Sequence, residues 1–278
     1  MKKIFLLCLL TISQFSNANW ITSFDDAKKL ALASNKFMIV DFWATWCGPC
    51  KKMDLDSWSD SQVNQILDNY IKVKIDIDLE RSLANQYGIN SIPNMFIMDG
   101  NGMVVYSFMG YQDANQLKNE LIKFAFSIEY LSGDLVNYFK MRCYNTSLRL
   151  SLKYLDYSLL VQKEVKDNIM NLSDLYLDEA KKGLSKKDEK YIEKKQRLDL
   201  VSMFYLAYQK KFEKLSKKIS DINEKDVAES NKDYYNFLKY ISDKALSKGD
   251  LSLFEEKYKN IEGFDYYMNK ANLIIQKT

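Results

Sequence analysis

The sequence predicts an α/β sheet domain followed by an all-α region, on three observations. Before residue 129, helical and strand signals alternate and end in a hairpin signal, Asp99-Gly100-Asn101-Gly102. Beyond it, the apolar positions fall at helical spacing throughout. Composition changes between the two: all four tryptophans and both prolines precede residue 100, while most tyrosines and lysines follow residue 129. The boundary is expected at Tyr130 to Gly133, giving a sheet domain over 19–128 and a helical domain over 129–278.

The first eighteen residues read as an export signal, not as structure. Lys2 and Lys3 form a basic start, Ile4 to Ile12 a short apolar run, and Ser16-Asn17-Ala18 the small residues of a cleavage site. Cleavage after Ala18 would start the mature chain at Asn19 and make the protein periplasmic or otherwise exported. An uncut membrane anchor is the competing reading. Cys8 lies inside the apolar run instead of at its end, which argues against a lipid anchor.

Residues 23–34 follow as a helix: Ser23 can cap it, Asp25 and Asp26 suit its first turn, and Phe24, Ala27, Leu30 and Ala31 make one apolar face. Residues 36–43 are rich in β-branched and aromatic side chains and read as a buried strand. Residues 60–68 form a short helix, 70–77 a strand, 95–98 and 103–108 the hairpin strands, and 113–126 an amphipathic helix. From Tyr130 the pattern predicts five to seven antiparallel helices. Val201, Phe204, Tyr208, Phe212 and Leu215 mark one face, with Gly183 and Gly249 as stops and Ser185 to Asp188 as a restart. No fixed-period repeat stands out, so a repeat-like stacking of these helices stays open.

Composition removes several functions. The chain has no histidine, so Ser-His and Cys-His nucleophiles and imidazole metal sites are excluded. Once Cys8 leaves with the signal, Cys47, Cys50 and Cys143 remain, too few for an all-cysteine zinc site or a disulfide-stapled scaffold. No metal and no cofactor are expected. The formal net charge is +3, two of it from Lys2 and Lys3, so phosphate-driven nucleic-acid binding is not expected. Cys143 stands alone and reads as a buried apolar filler, and the charged stretch 181–197 as a solvated helical face.

The chemistry is expected at Trp46-Cys47-Gly48-Pro49-Cys50, directly after the strand ending at Trp43. A helix starting there brings unpaired N–H groups and a positive dipole end to Cys47, which favours thiolate over thiol. Pro49 is tolerated because a first-turn residue needs no intrahelical N–H bond. Cys47 is then an exposed nucleophile and Cys50, one turn on and more buried, the resolving thiol. A zinc half-site or a static disulfide is the alternative.

The segment Val40-Asp41-Phe42-Trp43-Ala44-Thr45-Trp46-Cys47-Gly48-Pro49-Cys50-Lys51 resembles the active-site segment of the thioredoxin family. The likeness continues at Tyr87-Gly88-Ile89, Ser91-Ile92-Pro93, 99–102 and Gly110, covering roughly residues 20 to 127. It implies a thioredoxin fold, a central mixed sheet flanked by helices, ahead of the helical domain. It also implies that Pro93 is a cis-proline facing the cysteines and that Asp41 moves a proton to or from Cys50, with Lys74 tuning it. Trp46, Gly48, Pro49, Ile92 and Gly110 would contact substrate. The opening helix and the short helix at 60–68 are similar to exported thioredoxin-like proteins and the periplasmic C-terminal domain of DsbD-type reductases. Asn94, where threonine is commoner, departs from the pattern.

Gly48-Pro49 without histidine argues for a reductase, because histidine between the cysteines is what stabilises the thiolate of strong oxidants. Protein substrates with disulfides, and a membrane electron donor of the DsbD type, are the implied partners. The competing function is a client-binding, chaperone or isomerase protein whose helical domain is the working part.

Overall fold

The computed structural model describes residues 20–249, 251–259 and 264–276; the segment read as a signal, with Cys8, lies outside them. The chain runs α1 (Phe24–Ser34), β1 (Phe37–Trp43), α2 (Gly48–Asp56), α3 (Ser61–Leu67), β2 (Tyr70–Asp76), α4 (Arg81–Gln86), β3 (Asn94–Met98), β4 (Val104–Met109) and α5 (Ala114–Ile122). The four strands form one mixed sheet in the order β2-β1-β3-β4. Strand β1 is parallel to β2 and antiparallel to β3, and β3 is antiparallel to β4. This is a thioredoxin fold.

Strand alternation sorts β1 onto two faces. Met38, Val40 and Phe42 pack with Ala27, Ala31, Val73 and Phe96 under α1. Phe37 and Ile39 point the other way, into a cluster with Met53 of α2, Val63 of α3 and Leu117 of α5. Asp41 falls by the same alternation on this second face.

The caps follow their residue types. Ser23 accepts the Asp26 amide of α1, Asp60 accepts the amides of Gln62 and Val63 in α3, and Asp113 and Gln116 form a capping box at α5. The short helix α4 has no capping side chain and only Ala84 buried, so it left no periodic signal. Helix α5 ends four residues earlier than the apolar spacing predicted: the chain turns at Phe124–Phe126, burying the Phe124 ring and packing the half-buried Phe126 against Phe37 and Tyr157.

The helical region holds eight α-helices among the described residues, more than the five to seven expected. They are α6 (Ser132–Lys140), α7 (Tyr144–Tyr157), α8 (Lys163–Gly183), α9 (Tyr191–Tyr208), α10 (Phe212–Ser220), α11 (Lys232–Ala245), α12 (Ser252–Tyr258) and α13 (Phe264–Ile275). The single apolar face read across 201–215 is two helices, because Lys210 adopts a left-handed backbone and breaks the chain between α9 and α10. Ser185 and Asp188 do not restart a helix. They accept the amides of Lys187 and Lys190 in a turn, and α9 begins at Tyr191.

The apolar interior does not part at residue 128. One cluster runs from the sheet through Ile128, Leu131, Leu135 and Tyr138 to Leu150, Tyr154 and Tyr176 of α7 and α8. A separate cluster holds α9, α10, α11 and α13 together. Asn168 of α8 also donates to the Val105 carbonyl, covering the β4 edge.

The β3–β4 hairpin is pinned to the helices by one carboxylate. Asp99 is wholly buried; one oxygen accepts the amides of Asn101 (2.9 Å) and Met103 (3.0 Å). The other accepts the phenols of Tyr154 (2.8 Å) and Tyr176 (2.6 Å), whose rings stack. Gly102 turns with φ +84° just where a Cβ would press on the Tyr87 hydroxyl, so both backbone and space require glycine. Burial pushes the Asp99 carboxyl above its ordinary value, against the pull of its four donors. Tyr154→Phe or Tyr176→Phe should each cost about 1–3 kcal/mol by removing a donor to a buried carboxylate. Urea unfolding checks this, and a loss near zero would show that the hairpin is not held this way.

Candidate active site

Strand β1 ends at Trp43, and the chain crosses Ala44 to Trp46 into α2. Cys47 is the N-cap residue of α2, with extended backbone, and its Sγ accepts the Cys50 amide at 3.2 Å. Gly48 and Pro49 fill the first turn, where Pro49 forfeits no intrahelical bond. Cys47 and Cys50 are joined by a disulfide, with Cα atoms 5.3 Å apart.

Cys47 is not the exposed residue that was expected: it is 3% exposed, as is Cys50. In the disulfide state its sulfur turns inward, both to bond its partner and to accept the helix amide. What solvent reaches is the rim, where Thr45, Trp46, Gly48 and Pro49 are all exposed. Trp46 projects with 66% of its surface free, and its indole N–H donates to Asp78 at 2.8 Å. That bond fixes the ring beside the disulfide. Asp78 was missed from sequence; an aspartate in the turn after β2 was the available signal.

Asp41 lies in mid-strand, level with Lys74 of β2 and Met95 of β3. It is buried, and its Oδ1 has no hydrogen-bond partner. Lys74 Nζ is 3.8 Å from Oδ2 but bonds more tightly to Asp54 of α2. The rings of Trp43 and Trp20 flank the same ammonium at 5.2 and 5.5 Å. Burial pushes the Asp41 carboxyl up to about 7; Lys74 opposes this and the Asp54 charge adds to it. A carboxyl on the face under α2 that titrates near neutrality can give or take a proton. Lys74 is therefore shared between two carboxylates, and Asp54 is a member of the site that sequence reasoning did not find.

The Ile92–Pro93 bond is cis. Phe42 pairs with Asn94, so Pro93 sits at the end of β3 level with the start of the Cys47 loop. The Gly110 amide donates to the Pro93 carbonyl at 2.8 Å, and Gly110 has φ +88°. Pro93 is buried, Ile92 half-buried and Ser91 exposed, with the Ser91 hydroxyl donating to the Met109 sulfur at 2.8 Å. Structure thus brings Cys47, Cys50, Pro93 and Gly110 to one end of the sheet, with Asp41 and Lys74 side by side further along the strands.

Cys143 is not apolar filler. It is half-buried at the N-cap of α7, its sulfur 3.5 Å from the Thr146 hydroxyl. Hydrogen bonding from Thr146 holds its thiol below the ordinary value.

The thioredoxin family model matches residues 20–123. Thioredoxin from Chlorobaculum thiosulfatiphilum is 37% identical over 94 residues, which span 32% of this chain and 81% of that protein. Among solved structures, a mutant thioredoxin from Halobacterium salinarum is 26% identical, covering 38% of this chain and 89% of its own, with a TM-score of 0.31. The oxidised C-terminal domain of DsbD from Neisseria meningitidis is 20% identical, covering 38% and 99%, with a TM-score of 0.34.

Proposed function

This chain belongs to the thioredoxin family, and from that premise we propose that it is an exported thiol–disulfide oxidoreductase working in the reducing direction on protein disulfides. The observation that carries the reading is a Cys47–Cys50 disulfide at the N-terminus of α2, on the face of the sheet that also buries Asp41.

The exchange starts from the reduced pair. The Cys47 thiolate, at the helix N-cap, attacks one sulfur of a client disulfide; that bond breaks and the client's other sulfur leaves as a thiolate. Cys50 loses its proton toward the Asp41 carboxylate and attacks the Cys47 sulfur. The mixed disulfide breaks, the client leaves reduced, and the Cys47–Cys50 disulfide forms. Two electrons have passed to the client. The pair must then be reduced by a thiol donor, which for an exported protein is a membrane thiol transporter of the DsbD type. Trp46, Gly48, Pro49, Ile92 and Gly110 form the rim against which the client chain lies.

Redox titration against glutathione tests the direction. With Gly48-Pro49 and no histidine between the cysteines, the midpoint should fall near that of thioredoxin, about −270 mV, and far from the strong oxidant DsbA at about −120 mV. A midpoint near the oxidant would reverse the assignment. Export is tested by N-terminal sequencing of the protein from the cell envelope, which should begin at Asn19.

A further inference from the structure

We infer that the helical region carries a groove for an acidic segment of a client polypeptide. A cavity of about 830 Å³ opens between the turn after α7, the first half of α8, the C-terminal end of α9 and α13. Its charged lining is Lys163, Lys166, Lys210 and Lys211 against Asp167 and Asp174. Neither Lys163 nor Lys166 has a carboxylate at ion-pair distance among the described residues. Lys166 is half-buried, its ammonium donating to the Tyr208 carbonyl at 3.3 Å, and burial together with the nearby Lys210 charge lowers its pKa. Lys163, Lys166 and Lys211 thus bring positive charge to a partly desolvated cleft, where a carboxylate would be favoured.

The backbone points the same way. Helix α9 ends with the Lys210 amide on the Ala207 carbonyl and the Lys211 amide on the Leu206 carbonyl, the pairing of a Schellman turn. The left-handed residue of that turn is Lys210, with φ +59°, where glycine would be relaxed. That turn sets Lys210 in the lining of the cleft. Its ammonium reaches the Gln276 carbonyl at the end of α13, closing one side of the groove.

The occupant is a peptide and not a small anion, because the lining is amphipathic. Leu159, Val161, Met170, Tyr205 and Leu273 share the cavity with the lysines. Leu160 and Leu273 stand exposed in the same segments. A segment with carboxylates around apolar anchors matches both features, within the size range of ordinary ligand clefts. That the segment belongs to a disulfide-bearing client rests on the oxidoreductase reading; the groove itself does not.

Fluorescence anisotropy of the full chain tests this with a labelled peptide in which glutamates flank a leucine–phenylalanine pair, beside its lysine-for-glutamate counterpart. The acidic peptide should bind, salt should weaken it, and the counterpart should not bind. K163E/K211E, both at exposed positions, should weaken binding about tenfold or more with unchanged circular dichroism. No binding of the acidic peptide, equal binding of the two peptides, an unaltered affinity in the double variant, or full displacement by equimolar succinate would each overturn the inference. Insulin reduction measured on the same preparations separates the two readings. If reduction persists while the peptide fails to bind, the groove alone is lost; if binding persists without reduction, the oxidoreductase reading alone is lost.

Discussion

Cys47→Ser should abolish reduction of protein disulfides, with the rate falling on the order of a thousandfold or more. The serine hydroxyl keeps the N-cap bond to the Cys50 amide, so α2 still starts in place. What is lost is the sulfur at the start of α2, where the unpaired N–H groups of the helix favour thiolate over thiol and let it attack. Cys50→Ala should behave differently. Cys47 would still attack, but nothing would resolve the product, and client chains should accumulate covalently on Cys47. Insulin turbidity reads the first outcome and non-reducing electrophoresis of extracts the second. Residual turnover by Cys47→Ser, or a failure of Cys50→Ala to trap any client, would remove the assigned roles.

Asp41→Asn should stabilise the oxidised protein at alkaline pH and slow the reaction. The folded carboxyl titrates near 7 against an ordinary value of 3.8, because burial disfavours its charged form. A raised pKa means that the protonated side chain contributes its full share of stability below about pH 4. That share is lost as pH rises toward 7, and above 7 the buried charge costs about 4 kcal/mol. Asparagine has no charge to bury, so the variant should match the parent at pH 4 and exceed it at pH 8 by roughly 10 °C in Tm. Lys74 keeps Asp54 as its partner in the variant, so no orphaned cation offsets the gain. The same change removes the proton acceptor for Cys50, and release of client should slow roughly a hundredfold at pH 7. Calorimetry at the two pH values decides the first effect. A variant equally stable at both relative to the parent would mean that Asp41 does not titrate in this range.

The parts of the site that the sequence disclosed are those set by neighbours along the chain. Cys47 and Cys50 are three residues apart on one helix start, and strand-then-cysteine order already places them at the end of the sheet. Asp41 and Lys74 were reached through resemblance, and the parallel register of β1 and β2 sets them level. Asp54 and Asp78 escaped because each acts across elements: Asp54 reaches Lys74 from α2, and Asp78 holds Trp46 from the turn after β2. No local pattern encodes the Asp54 pair, and for Asp78 the local cue is no more than an aspartate in a turn. Burial of Cys47 also escaped, since it depends on where a sulfur turns once bonded. In the helical region, apolar spacing located the helices but not the breaks. Lys210 ends α9 by its backbone conformation, and lysine carries no sequence signal for that role. Asp99 read as a turn residue, which it is; its two phenolic partners lie far along the chain and only the fold brings them to it.

That buried carboxylate also limits how this architecture can be recombined. Strand β3 runs from Asn94, directly behind Pro93, to Met98, and Asp99 anchors its far end on α7 and α8. The helices cannot be detached as an interchangeable cassette: cutting near residue 128 would strand Asp99 without its phenols and leave Ile128 and Leu131 facing water. A chimera joining this tail to another sheet would have to carry the hairpin loop along with it. Conversely, a load applied to α7 or α8 would reach the sheet through Asp99 as well as through the shared apolar cluster, so the two halves of the chain are mechanically coupled.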